Sequence, residues 1–194
     1  MEVEKTWERR EAFLRLNPAG QVPVLVETNG TTFSGGQVIC EYLNEVHSEP
    51  PLLGLNPVER AEIRRLCDWF DGKFEREVGR NLVGEKVMKR FLGLGSPDST
   101  AIRAGKTNIN HHLGYVSYLV ERRTWLAGDM FSLADITAGA HLSCVDYLGD
   151  VPWSDYPLAK DWYARIKSRP SFRTLLHDHI PGVPPPKHYS DLDF

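Results

Sequence analysis

A chain of 194 residues, 41% hydrophobic and 25% charged, has the composition of an ordinary globular protein with room for a sizeable core. Its formal net charge of −3 argues against a nucleic-acid surface, because phosphate binding draws on an excess of Lys and Arg. The longest uncharged run, Thr28–Cys40, holds 13 residues broken by glycines, whereas a bilayer span takes about 20. Met1-Glu-Val-Glu-Lys5 does not read as a signal peptide. Three scattered cysteines (Cys40, Cys67, Cys144) form no CxxC pair, so a reducing, cytoplasmic compartment is expected.

In chain order, Gln21–Glu27 is a β-rich apolar run, Asn29-Gly30 a two-residue hairpin signal, and Thr31–Phe33 a short return strand. Val38–Val46 reads as a helix, with Val38, Ile39, Tyr42, Leu43 and Val46 at helical spacing, stopped by Glu49-Pro50-Pro51. Residues 1–50 therefore form a small α/β domain and residues 51–56 a linker. A helical domain, 57–180, opens at Asn56-Pro57, a capping side chain followed by proline at the first helical position. Ile63, Leu66, Cys67, Phe70, Phe74 and Val78 make its first buried stripe. A second helix is expected over Ser99–Arg123. A third starts at Ser132-Leu-Ala-Asp135, the pattern of a capping box, and carries no charge from Ile136 to Val145, so it should be buried on most sides. Helices over Pro157–Ser168 and Ser171–His179 follow. Residues 181–194 are a proline-rich spacer and a tail, in which Tyr189, Leu192 and Phe194 are apolar anchors that should dock. No internal repeat is visible.

Asn17-Pro-x-Gly20-x-Val22-Pro23-Val24-Leu25 is the most specific string. It places a proline at a strand start, a candidate cis bond. The position suits either a plain loop-to-strand turn or a peptide-like ligand pairing with exposed backbone. The histidines give weak metal signals: His111-His112 point about 100° apart on a helix, and neither His177/His179 near His188 nor His141 with Cys144 has a full ligand set. No metal is expected.

Together with Val38–Leu43, Gly128–Ile136 and Arg169–Phe172, the Asn17–Leu25 string resembles the glutathione transferase superfamily. The resemblance implies a thioredoxin-like N-terminal domain, an all-α C-terminal domain and a homodimer. It places Val22 and Pro23 beside the cysteinyl backbone of glutathione, and Ser132 and Asp135 as a structural cap. Two departures count against transferase chemistry. Where the family carries Glu-Ser for the γ-glutamyl end, this chain has Gly35 and Gly36, with only Ser34 and Gln37 nearby. Glycine offers no hydroxyl or carboxylate to a charged ligand head. The family's first strand and helix, with the thiol-activating residue, have no counterpart before Glu2–Trp7, which looks like the second strand. The thioredoxin-like domain is thus expected to be partial, with a bare sheet edge and no catalytic residue to name.

Within the superfamily, Trp7–Leu14, Asn81–Arg90 and the Pro184–Phe194 ending are similar to a branch of glutathione-transferase-like adaptors that bind the tubulin-like division protein FtsZ. That likeness implies FtsZ as partner, a role in filament shape and constriction, and a place at the division site. It makes Glu85, Lys86, Lys89, Arg90, Asp191, Leu192, Asp193 and Phe194 the partner-binding residues. Neither nucleic acid nor membrane is an expected partner. Glutathione enters only in the alternative, a transferase conjugating it to small electrophiles. Glu85 with Lys89, and Lys86 with Arg90, stand four residues apart and read as exposed pairs.

Overall fold

The computed structural model describes residues 2–192 and divides between Leu53 and Gly54 into two units. In the first, α1 (Glu11–Leu16) is followed by a two-stranded antiparallel sheet of β1 (Val24–Val26) and β2 (Thr32–Ser34) and by α2 (Gly36–Val46). The register pairs Val24 with Ser34, Leu25 with Phe33 and Val26 with Thr32. Phe33 stacks on Tyr42 of α2 with ring centroids 4.1 Å apart, and Ile39 is buried. The Val22–Pro23 peptide is cis, as the proline's position suggests.

Two local expectations change. The hairpin loop is Thr28-Asn29-Gly30, closed by Glu27 N–H donating to the Thr31 carbonyl at 2.8 Å. The Asn29 side chain accepts from Thr31 N–H, which makes three residues, not two, the stable loop. Glu2–Trp7 is not a strand: Thr6–Glu8 form a 3₁₀ turn. Among the described residues no strand pairs with this segment, and an extended segment without a ladder partner has no reason to persist.

The second unit is helical. Asn56 caps α3 (Pro57–Asp68) by accepting from Val58 and Glu59 N–H, both at 3.0 Å. The chain continues without a break into a wider helix, Trp69–Met88, whose backbone bonds run from i to i+5, and ends in α4 (Lys89–Phe91). Buried Phe70, Phe74, Val78, Leu82 and Val87 line one side of the wide helix. On a 3.6-residue turn, steps of four drift by about 40° and the last step of five, to Val87, by about 140° round the axis, whereas a wider winding returns Val87 toward the same side. Gly72, Gly79 and Gly84 lower the preference for ordinary α geometry. The side-chain amides of Asn81 and Asn108 also donate to the Glu77 carbonyl, at 2.8 and 3.1 Å, which interrupts the usual ladder.

The wide helix packs against α5 (Ser99–Val120) and α6 (Leu133–Asp146), and α5 packs on α7 (Pro157–Lys167). α6 is buried through Leu133, Ala138, Gly139, Leu142, Ser143 and Val145, as its uncharged sequence required. The expected helix over Ser171–His179 is shorter, α8 (Pro170–Arg173) plus a single turn at Leu175–His177. No helix of the described residues is long and apolar enough to cross a membrane.

Candidate functional site

In the first unit Val22, Pro23, Ser34, Gly35 and Gly36 come together. Ser34 ends β2 opposite Val24, Gly35 N–H donates to the Pro23 carbonyl at 3.2 Å, and a side chain at Gly36 would touch the Pro23 ring at 4.0 Å. Gly35 sits at φ 93° just before α2 and gives that helix no side-chain cap. Only glycine adopts that backbone cheaply. Val22 is half exposed. These five residues offer backbone groups and the single hydroxyl of Ser34.

In the second unit Asp135 is fully buried. Its carboxylate accepts from Ser132 N–H (3.0 Å), Ser132 Oγ (3.1 Å), Leu126 N–H (3.0 Å) and Trp162 Nε1 (2.9 Å). Burial raises its pKa and these donors oppose the rise. Ser132 and Asp135 thus start α6 and fix the preceding turn at once. A cleft of about 300 Å³ lies between the wide helix and α6, lined by Glu75, Gly79, Arg80, Met88, His141 and Cys144 among others. His141 Nε2 is 2.9 Å from Asp71 Oδ1, and no group of three metal-ligating residues forms among the described residues.

The charged strip is engaged, not solvated. Glu85 accepts from Asp98 N–H at 2.7 Å and pairs with Lys89 at 2.6 Å. The amide first, and the ammonium next, hold its carboxyl below the ordinary range. Lys86 and Arg90 do not pair, since both are cations. Lys86 reaches Asp150, which Lys106 also contacts at 3.1 Å. Arg90 Nη1 donates to the Gly182 carbonyl at 3.3 Å. Of the four residues only Arg90 is exposed.

That last bond belongs to a docked strap. Ile180 N–H donates to Tyr147 Oη at 2.8 Å, and Tyr147 Oη donates to the Val183 carbonyl at 2.7 Å. Lys167 Nζ, fully buried, donates to the His188 carbonyl at 3.0 Å. His188 Nε2 lies 2.9 Å from Asp146 Oδ1, which also accepts from Trp153 Nε1 at 2.7 Å. Tyr189 is buried, its hydroxyl 2.9 Å from Ser143 Oγ and its ring edge-on to Tyr147 at 5.1 Å. Burial raises the Asp146 pKa and lowers that of Lys167, whose charge Asp146 and Asp191 support.

Beyond Tyr189, Asp191 is exposed and Leu192 half-buried. Asp193 and Phe194, expected in the same group, lie outside the described residues. The sequence reading missed Ser143, Asp146, Tyr147, Asp150 and Lys167. Asp146, a charge immediately after ten uncharged residues of a buried helix, was the available signal, since a buried charge demands a partner. Chemically the arrangement fixes a polar chain end on a rigid body.

The chain matches the glutathione S-transferase N-terminal domain family over residues 2–46 and the C-terminal domain family over residues 82–170. It is 51% identical to FtsZ-localized protein A of Caulobacter vibrioides, over 97% of this chain and 84% of that protein. The solved structure of FzlA from C. crescentus superposes with a TM-score of 0.96 at 50% identity, covering 100% of this chain and 87% of that one. A glutathione S-transferase from Rhodospirillum rubrum F11 superposes with a TM-score of 0.97 at 58% identity, over 100% of this chain and 87% of that one. Two family domains in order, a small two-stranded N-terminal sheet, a helical second unit and relatives matched along nearly the whole chain place this protein in the glutathione S-transferase superfamily, alongside FtsZ-localized protein A.

Proposed function

We propose that this chain is a non-catalytic adaptor that binds FtsZ and regulates the shape of its filaments, and so constriction, in bacterial cell division. It would act in the cytoplasm at the division site, as a homodimer. The observation that carries the reading is the match to FzlA over 100% of this chain, the docked strap included. The exposed Asp191 at the end of the docked strap, and Arg90 holding the turn that begins it, suit recognition of a protein surface, where charge placement sets partner choice. Gly35 and Gly36 support the non-catalytic part, since neither position supplies the carboxylate acceptor or the hydroxyl donor that would hold a γ-glutamyl head. Mixing the protein with FtsZ and GTP and imaging the filaments tests it. Changed filament curvature or bundling is expected, and filaments identical to FtsZ alone would refute the reading.

The second reading, a glutathione transferase, draws on the 58% identity to the R. rubrum protein. Calorimetry with glutathione separates the two. Loss of about two charge-assisted hydrogen bonds weakens binding by roughly two to four orders of magnitude, so a micromolar dissociation constant would favour the transferase.

A further inference from the structure

Four side chains of the second unit form one row, two rings flanked by two guanidinium groups. The Arg169 guanidinium lies over the Phe131 ring, 3.7 Å from its centre. Phe131 meets Trp125 edge-on at 4.9 Å, and Arg165 covers Trp125 at 4.4 Å. The row is fixed from below. Trp125 and Gly128 exchange backbone hydrogen bonds of 2.7 and 3.2 Å, which close the turn that carries the indole. Arg165 Nη2 donates to the Thr124 carbonyl at 2.8 Å. Met130, half exposed, adjoins Phe131 in the chain.

Neither arginine has an acidic partner among the described residues. Asp161 stands one helical turn before Arg165 on α7, at a spacing that usually pairs, yet the Arg165 side chain lies on Trp125 instead. Asp129 is turned to the Thr124 hydroxyl, which donates to it at 3.4 Å. A guanidinium stacked on a ring uses its face and keeps its N–H edge, which fits a carboxylate bidentately. Two guanidinium groups without a carboxylate partner, that of Arg165 also holding the Thr124 carbonyl, make with the two rings a cationic surface with apolar grip.

We propose that the Arg165–Trp125–Phe131–Arg169 row docks a short acidic peptide segment of a protein partner. Two arginines cannot follow a phosphate backbone, whose affinity grows with the number of contacts. A brief run of carboxylates carrying an apolar residue matches both the charge and the rings. The proposal uses none of the strap residues and stands independently of the FtsZ reading.

The test uses the full chain and a labelled peptide of alternating Asp and Glu around a central Leu-Phe pair, followed by anisotropy at about 50 mM salt. The Trp125 indole N–H, identified with Trp125→Phe, gives a local NMR readout. Expected are saturable binding that fades with salt, a shifted Trp125 indole signal, and a loss of about tenfold or more in the Arg165→Gln/Arg169→Gln double variant. Arg169→Lys, which keeps the charge and removes the planar fork, should give an intermediate loss even if the double variant folds poorly. Equal affinity in Arg169→Lys and parent, an unmoved Trp125 signal, or tighter binding of an oligothymidylate that displaces the peptide would each overturn the proposal.

Discussion

Arg90 and Gly182, 92 positions apart, are joined by a hydrogen bond from the guanidinium to the backbone carbonyl. Gly182 holds φ at 76° in the turn that begins the strap, and an added Cβ would lie 2.7 Å from Arg90 Nη2. Gly182→Ala should therefore cost about 1–2 kcal/mol from the left-handed backbone alone and displace Arg90 as well. Limited proteolysis should cut residues 180–190 faster in this variant, whereas Arg90→Ala should leave the turn protected. Equal protection of the parent and Gly182→Ala would mean that the turn does not hold the strap.

Lys167 and Asp146 form the buried ionic centre under the strap. Lys167→Met leaves the Asp146 carboxylate with Trp153 and His188 alone and should cost about 1–3 kcal/mol. Adding Asp146→Asn should recover much of that loss, because no carboxylate charge then stays buried there. Denaturant melts of the two single variants and the double variant measure this coupling. Additive losses would show that the two charges act separately.

Glu62 sets an acid limb of stability. Arg65 first, and then Arg123, outweigh burial and hold its carboxyl at about 2, against an ordinary 4.5. A group with a depressed folded pKa stabilises fully above the unfolded value and loses that contribution as pH falls through the folded one. The contribution, on the order of 2 kcal/mol after allowing for solvent screening, should vanish between about pH 4.5 and 2. Glu62→Gln should flatten the stability profile across that window, and a profile unchanged by the substitution would assign the acid limb to other groups.

Much of the fold is legible in the sequence for local reasons. Asn56-Pro57 and Ser132–Asp135 announce their helices because caps act within four residues, and the uncharged stretch after Asp135 announces its own burial. The widened helix is not legible, since steps of four residues also suit an ordinary helix until Val87 breaks the drift, and the Asn81 and Asn108 amides act through a backbone carbonyl. The strap's partners are hidden for another reason. Tyr147, Asp146 and Lys167 reach it across 21 to 42 positions, a distance over which periodicity says nothing. Lys86 and Arg90 show the limit of spacing alone, because four residues apart predicts a meeting, and charge decides whether it holds.

Glu85 is a poor probe of partner binding for the same reason. Its carboxylate holds Asp98 N–H at the start of α5, where the helix dipole favours a negative charge. Glu85→Lys should lower the melting temperature by several degrees, while Glu85→Gln, which keeps the acceptor, should change it little. A Glu85→Lys protein as stable as the parent would show that the contact carries no stability.

Asp191 is exposed behind the buried Tyr189. Co-pelleting of the full-length protein with FtsZ polymerised in GTP, parent beside Asp191→Lys, tests the adaptor role most directly. The parent should pellet with the polymers and the variant should stay in the supernatant. Its melting temperature should fall by several degrees, since Asp191 supports the charge of the buried Lys167, so folding is verified at the assay temperature. Parent protein that remains in the supernatant at every FtsZ concentration, while turning over glutathione and an electrophile, would contradict the account.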